Sequence, residues 1–151
     1  DYISKGGDLV SEKVLACITI QQNSRRLIKK GAQLASQIGG ELHVLHVEHG
    51  NNILSQNNTA ELLQELFDYA SDIGGEVHVV CDDNVPERIV EFIKEMDITQ
   101  LVLGETMRNK IHRLIAKDIE NYITSTTPEV EIMVLEREKK LNIKDKEAFS
   151  S

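Results

Sequence analysis

Residues 13–48 read KVLACITIQQNSRRLIKKGAQLASQIGGELHVLHVE, and the fold follows from the order of their parts. Lys13–Ile20 is a continuous apolar, β-branched run of strand length. It lacks the polar alternation of a half-exposed strand and suits one buried on both faces of a parallel sheet. Asn23 or Ser24 offers a helix N-cap. Beyond it Leu27, Ile28, Gly31, Leu34, Ala35 and Ile38 recur at three- and four-residue steps, which is one stripe of an amphipathic helix. Gly39-Gly40 ends that helix, one glycine being free to take the left-handed conformation past the last turn. Glu41–Glu48 is then a second strand-like run, so the segment is a strand, a helix and a strand.

The same cycle continues outward. A polar loop, His49–Asn58, is followed by capping-box spacing at Asn58 and Glu61 and by a stripe of Leu62, Leu63, Leu66, Phe67, Ala70 and Ile73. Gly74-Gly75 ends this second helix, and Glu76–Cys81 is a third strand. Asn84, Pro86 and Glu87 mark the start of a helix over Pro86–Met96. Gln100–Gly104 is a fourth strand, Glu105–Lys110 a loop, and a further helix spans roughly Ile111–Thr124. Pro128 breaks the chain before a fifth strand, Val130–Leu135. Strict alternation with short connections predicts right-handed crossovers and an α/β fold, a five-stranded parallel sheet sandwiched by helices. Residues 1–12 read as a linker or lead-in, 13–136 as the α/β domain and 137–151 as a charged tail. Gly39–Leu45 and Gly74–Val80 echo each other, as one helix-to-strand junction used twice.

The 151 residues suit one domain. Seventeen basic against 25 acidic residues give a net charge of −8, which disfavours a dedicated nucleic-acid or anionic-membrane binder. Aromatics at 4% and no Trp leave no base-stacking platform. No apolar run reaches the length of a membrane span and no signal-peptide pattern opens the chain. Cys17 and Cys81 lie in apolar runs without CxxC spacing and read as buried small hydrophobes in a reducing, cytoplasmic setting.

In open α/β sheets, ligands bind past the carboxyl ends of the strands, where strand order reverses. The loop after the first strand offers Thr19, Gln21, Gln22, Asn23 and Ser24, hydroxyl and amide groups beside a helix N-terminus. The stretch after the fourth offers Gly104, Thr106, Arg108 and Lys110, the two cations being suited to phosphate. Arg25 and Arg26 add positive charge near the same edge. Neither GxGxxG nor GxxxxGK[ST] is present. His43 and His46 point to opposite faces of their strand, so with His49 they form no metal set, and no metal is expected. His43 and His78 occupy matching strand positions and are expected to lie near each other. Asp82-Asp83 is a solvated acidic pair. No Ser/His/Asp or Cys/His arrangement can be assembled, and the domain is expected to be non-catalytic.

Val14–Thr19, Arg25–Ala35 and Leu42–Glu48, followed by Pro86–Phe92 and Ile98–Gly104, resemble the universal stress protein domain, most closely the version carried by potassium-sensor histidine kinases of the KdpD type. The resemblance covers about residues 12–136. It implies a three-layer fold with strand order 3-2-1-4-5, and a homodimer through the last strand, Val130–Leu135. It also implies ATP bound through Gly-x-x-Gly-x9-Gly-Ser/Thr. Gly104 matches the first glycine, whereas Met107 and Lys117-Asp118 stand at the others. A side chain there blocks close backbone approach to phosphate. Some related domains bind cyclic-di-AMP through Ser-x-Ser, twenty residues, then Phe-Thr-Ala-x-Tyr. Here Thr19-Ile20-Gln21 and Leu42–His46 keep the spacing. Thr19 keeps a hydroxyl and His46 a flat polar ring, while Gln21, Leu42 and His43 depart, so both implied ligands match a weakened motif.

The expected function is a non-catalytic regulatory domain of a KdpD-type osmosensitive sensor kinase. It would act in the cytoplasm, tethered to the membrane through the parent kinase, by way of a nucleotide-like ligand or a partner kinase domain. The alternatives are a stand-alone ATP-binding stress protein and a purely structural dimerisation module.

Overall fold

The computed structural model describes residues 2–3, 9–10, 12–48, 57–115 and 119–136. A short antiparallel pair, β1 (Tyr2–Ile3) with β2 (Leu9–Val10), opens the chain in the stretch expected to be a lead-in. Then follow β3 (Lys13–Cys17), α1 (Ser24–Ile38), β4 (Glu41–Glu48), α2 (Asn57–Asp72), β5 (Glu76–Cys81), α3 (Val85–Met96), β6 (Gln100–Gly104), α4 (Glu105–Ile115), α5 (Ile119–Thr126) and β7 (Glu131–Leu135). The five longer strands form one parallel sheet in the order β5-β4-β3-β6-β7. Counted from the first long strand this is 3-2-1-4-5, the order the resemblance implies. The charged tail, 137–151, lies outside the described residues, as do His49 and most of the loop before α2.

β3, β4 and β6 occupy the centre, and their side chains divide between two cores. Leu15, Cys17, Leu45, Leu101 and Leu103 face α3, α4 and α5. Val14, Ala16, Val44 and Val102 face α1 and α2. Each fully buried Leu or Ile contributes roughly 1.5–3 kcal/mol, so these unbroken apolar strands carry the fold. α1 ends as its sequence requires. Gly39 takes φ 66°, a left-handed conformation that costs a residue with a Cβ. At Gly40 a Cβ would stand 2.4 Å from the Glu12 carbonyl oxygen, which accepts the Glu41 amide at 2.9 Å. The second glycine thus lets the helix exit lie against the entry to β3.

Several local expectations are corrected. β3 ends at Cys17 rather than at Ile20, although Ile18 stays buried and its amide still donates to Leu45. α2 already includes Asn58, so that residue is no cap. The segment 105–110 is not a loop: β6 passes straight into α4, and the expected helix near 111–124 is two helices, α4 and α5. Cys81 is exposed, because β5 is an edge strand. Among the described residues no helix is long and apolar enough to cross a membrane.

Candidate functional site

β3 lies between β4 and β6, so the chain reverses its direction of strand addition there. The carboxyl ends of β3 and β6 therefore flank the crevice where open α/β sheets hold ligands. Past β3 the backbone turns tightly. The Gln21 amide donates to Thr19 at 2.9 Å and the Ser24 amide to Gln21 at 3.0 Å. The buried Ser24 hydroxyl closes the turn by donating to the Thr19 carbonyl at 2.6 Å. Asn23 has helical backbone angles and its side chain makes no cap bond, which corrects the expectation of a cap there. The Ser24, Arg25 and Arg26 amides donate instead to the Gln21, Gln22 and Asn23 carbonyls, at 3.0, 3.5 and 3.2 Å. The helix dipole still favours negative charge at this end.

Thr19, Gln21 and Asn23 from this turn and Gly104 and Thr106 from the β6–α4 junction line one cleft. Its enclosed part is tight, about 40 Å3, and it opens beside a shelf lined by Gln21, Gln22, Asn23 and Thr106. Arg26 and Glu105 bring opposite charges to the lining. Arg26, one of four basic residues placed near this edge by sequence, is the only one of the four that lines the cleft. Its Nη1 donates to the Glu136 carbonyl at 2.8 Å. Met107 is buried, packs into the core beneath α4 and also lines the cleft. Its volume fills space that a glycine would leave for phosphate.

The other candidates lie elsewhere. Arg108 is paired within its own helix to Glu105 at 4.0 Å. Arg25 stacks over the Tyr69 ring at 4.3 Å. His46 is buried, with Nδ1 3.2 Å from the Ile18 carbonyl and Nε2 2.6 Å from Glu48. Both ring nitrogens thus face oxygen atoms, one on the backbone and one on the Glu48 carboxylate. Its ring is tied to the backbone just past β3 and does not line the cleft. Sequence spacing locates His46 on the strand but carries no information about which partner its ring turns toward.

His43 and His46 do take opposite faces of β4. His43 Nδ1 instead meets His78 Nε2 at 3.1 Å. The strands are offset by two relative to the repeated motif, since His43 is paired with Glu76 and Leu45 with His78. His78 packs edge-on to Phe92 at 4.8 Å. Burial holds its pKa below the usual histidine value, Glu76 opposing the shift and His43 adding to it.

With this architecture in place, similarity to known proteins becomes decisive. The sequence profile of the Universal stress protein family matches residues 11–134. The chain belongs to the universal stress protein family. A KdpD sensor protein of Synechocystis sp. is 34% identical over 126 residues, covering 83% of this chain and 34% of that protein. The sensor protein KdpD of Mycobacterium tuberculosis is 32% identical over 108 residues, covering 72% of this chain and 12% of that protein. The chain thus spans about a third of the length of one of these relatives and about an eighth of the other. Among solved structures, a universal stress protein in complex with cAMP matches with a TM-score of 0.59 at 16% identity, over 82% of this chain and 95% of that one. A universal stress protein from Archaeoglobus fulgidus in complex with dAMP matches with a TM-score of 0.55 at 18% identity, over 83% and 97%. At such identities the structural likeness speaks for the fold of the universal stress protein domain.

Proposed function

We propose that residues 13–136 form a non-catalytic regulatory domain of a KdpD-type potassium or osmotic sensor kinase in the cytoplasm. The domain responds to an adenine nucleotide held at the cleft between the carboxyl ends of β3 and β6. The observation that carries the reading is the convergence of Thr19, Gln21, Asn23, Gly104 and Thr106 on one polar cleft beside Arg26. Its size suits a phosphate or ribose group, with the base lying along the shelf of Gln21, Gln22 and Thr106. The cAMP and dAMP held by fold neighbours support an adenine mononucleotide as the ligand class. The KdpD relatives support a kinase as the parent protein and its other domains as partners.

Met107 weighs against the alternative of a stand-alone stress protein that binds ATP through backbone glycines. A homodimer along β7 fits the same family pattern, since among the described residues β7 has β6 as its one strand neighbour and is an edge.

Calorimetric titration with AMP, cAMP, ATP, cyclic-di-AMP and cyclic-di-GMP tests the proposal. It expects heat from at least one adenine nucleotide, and a loss of affinity of about tenfold or more in Arg26→Ala, as for removal of a hydrogen bond to a charged group. Silence from all five ligands would reject the nucleotide reading and favour a protein partner.

A further inference from the structure

At the opposite end of the sheet from the cleft, near the amino ends of β4 and β5, three ligating side chains converge. His43 Nδ1 and His78 Nε2 are 3.1 Å apart. Glu76 Oε2 is 3.7 Å from His43 Nδ1, and Glu76 Oε1 is 3.8 Å from His78 Nε2. One donor atom from each residue lies within 4.8 Å of the others. The parallel register explains why. His43 stands opposite Glu76, and His78 follows two residues later on the same face. Two strand backbones therefore aim all three groups at one point.

We infer that His43, His78 and Glu76 form a binding site for a divalent transition metal, zinc by its ligand chemistry. Zinc binds histidine nitrogen and carboxylate oxygen at about 2.0–2.2 Å. Ligand atoms on such a tetrahedral ion lie about 3.3–3.5 Å apart, and the closest separations here, with a different Glu76 oxygen toward each imidazole, bracket that range. Two neutral imidazoles and one carboxylate form a borderline donor set that suits zinc better than calcium or magnesium, which prefer all-oxygen sites. Glu76 is largely exposed, so an ion has a route in and a fourth position open to solvent.

A second observation points the same way. His43 is 2% exposed, yet its Nε2 is buried without a hydrogen-bond partner. The contact between the two rings uses a single proton, and whichever ring supplies it, His43 Nε2 is left unsatisfied. A metal on Nδ1 fixes the tautomer with the proton on Nε2. That proton then faces the Glu41 carboxylate, whose Oε2 is 3.9 Å away and also 3.9 Å from Lys13 Nζ. Metal-bound histidines characteristically donate their other N–H to such a carboxylate. Glu41 is thus the positioning residue and His43, His78 and Glu76 are the ligands. The ion would tie edge strand β5 to β4, independently of any nucleotide at the far cleft.

The test is titration of the full, chelator-treated chain with zinc chloride, followed by calorimetry and by thermal unfolding. One zinc per chain and a rise in Tm that grows with zinc concentration are expected. His78→Gln and Glu76→Gln alter half-buried and exposed positions and are chosen because they preserve the fold. Each is expected to lower zinc affinity by about tenfold or more and to abolish the Tm shift, while Cys81→Ser leaves both intact. Cobalt bound in place of zinc is expected to give the visible absorption of a tetrahedral nitrogen–oxygen site. No zinc binding by the wild-type chain would overturn the inference. So would zinc binding that survives both ligand variants, or that is lost in Cys81→Ser.

Discussion

Cys17 and Cys81 have similar sequence surroundings and different fates. Both lie in an apolar run, ACI and VVC, yet Cys17 lies at the sheet centre with 1% exposure and Cys81 on the outer strand is exposed. Burial pushes the Cys17 thiol from its ordinary 9.0 to about 12. The sign of the consequence is set by the thiolate. The unfolded chain ionises this group near pH 9 and the folded chain resists. The stabilisation from a neutral Cys17 is therefore complete below pH 9 and is lost as pH climbs toward 12. The slope is about 1.4 kcal/mol per pH unit for this one group. Urea unfolding of wild type and Cys17→Ala between pH 8 and pH 11 checks it. The difference in stability between them is expected to shrink above about pH 9, and a constant difference would contradict the burial argument. A thiol reagent at neutral pH is expected to label Cys81 at once and Cys17 only on unfolding.

Among the elements, α1 and α3 begin differently although each has Asn before its first turn. In α3 the Asn84 Oδ1 accepts the Glu87 amide at 3.2 Å and Nδ2 donates to the Glu87 carboxylate at 2.9 Å. In α1 Asn23 is already helical and Ser24 closes the turn instead. Asn84→Ala is therefore expected to cost about 1 kcal/mol, and Asn23→Ala less than about 0.5 kcal/mol, as paired thermal or urea unfolding would measure. Equal losses would mean that both residues act as caps. The same contrast marks what was legible in the sequence. Central strands and glycine-ended helices could be read because continuous apolar runs and paired glycines have few other uses. The split of α4 from α5, and the start of α4 at Glu105, could not. The segment Glu105–Lys110 holds polar residues that serve a loop or an exposed helical turn equally well, and tertiary packing of Met107 and Ile111 decides for helix. Of the cleft, Thr19, Gln21, Asn23, Gly104 and Thr106 were legible from strand ends alone. The nearness of His43 to His78 was legible from their matching strand positions, but the offset that sets Glu76 opposite His43 was not, because it depends on register across two strands rather than on spacing along one.

At the scale of the whole molecule, a net charge of −8 constrains any nucleotide the cleft accepts. Arg26 is the cation in the lining and Glu105 lines the same cleft. Arg25 is committed to Tyr69 and Arg108 to Glu105. Each further phosphate therefore adds charge in a field that is negative overall and that little local positive charge offsets. Unit charges several ångströms apart near a protein surface interact by about 1 kcal/mol or more. AMP is thus expected to bind about tenfold more tightly than ATP at low salt, a difference of ~1.4 kcal/mol. The Debye length falls from about 30 Å at 0.01 M to about 8 Å at 0.15 M. Salt across that range is expected to narrow the gap by improving ATP, while AMP changes little. Titrations of both nucleotides at the two ionic strengths measure this directly. ATP binding more tightly than AMP at low salt would show that local phosphate contacts outweigh the global field. In that case Met107 does not close the cleft to a polyphosphate, and the junction of β6 and α4, with Gly104 as its one glycine, must hold phosphate largely by side chains instead.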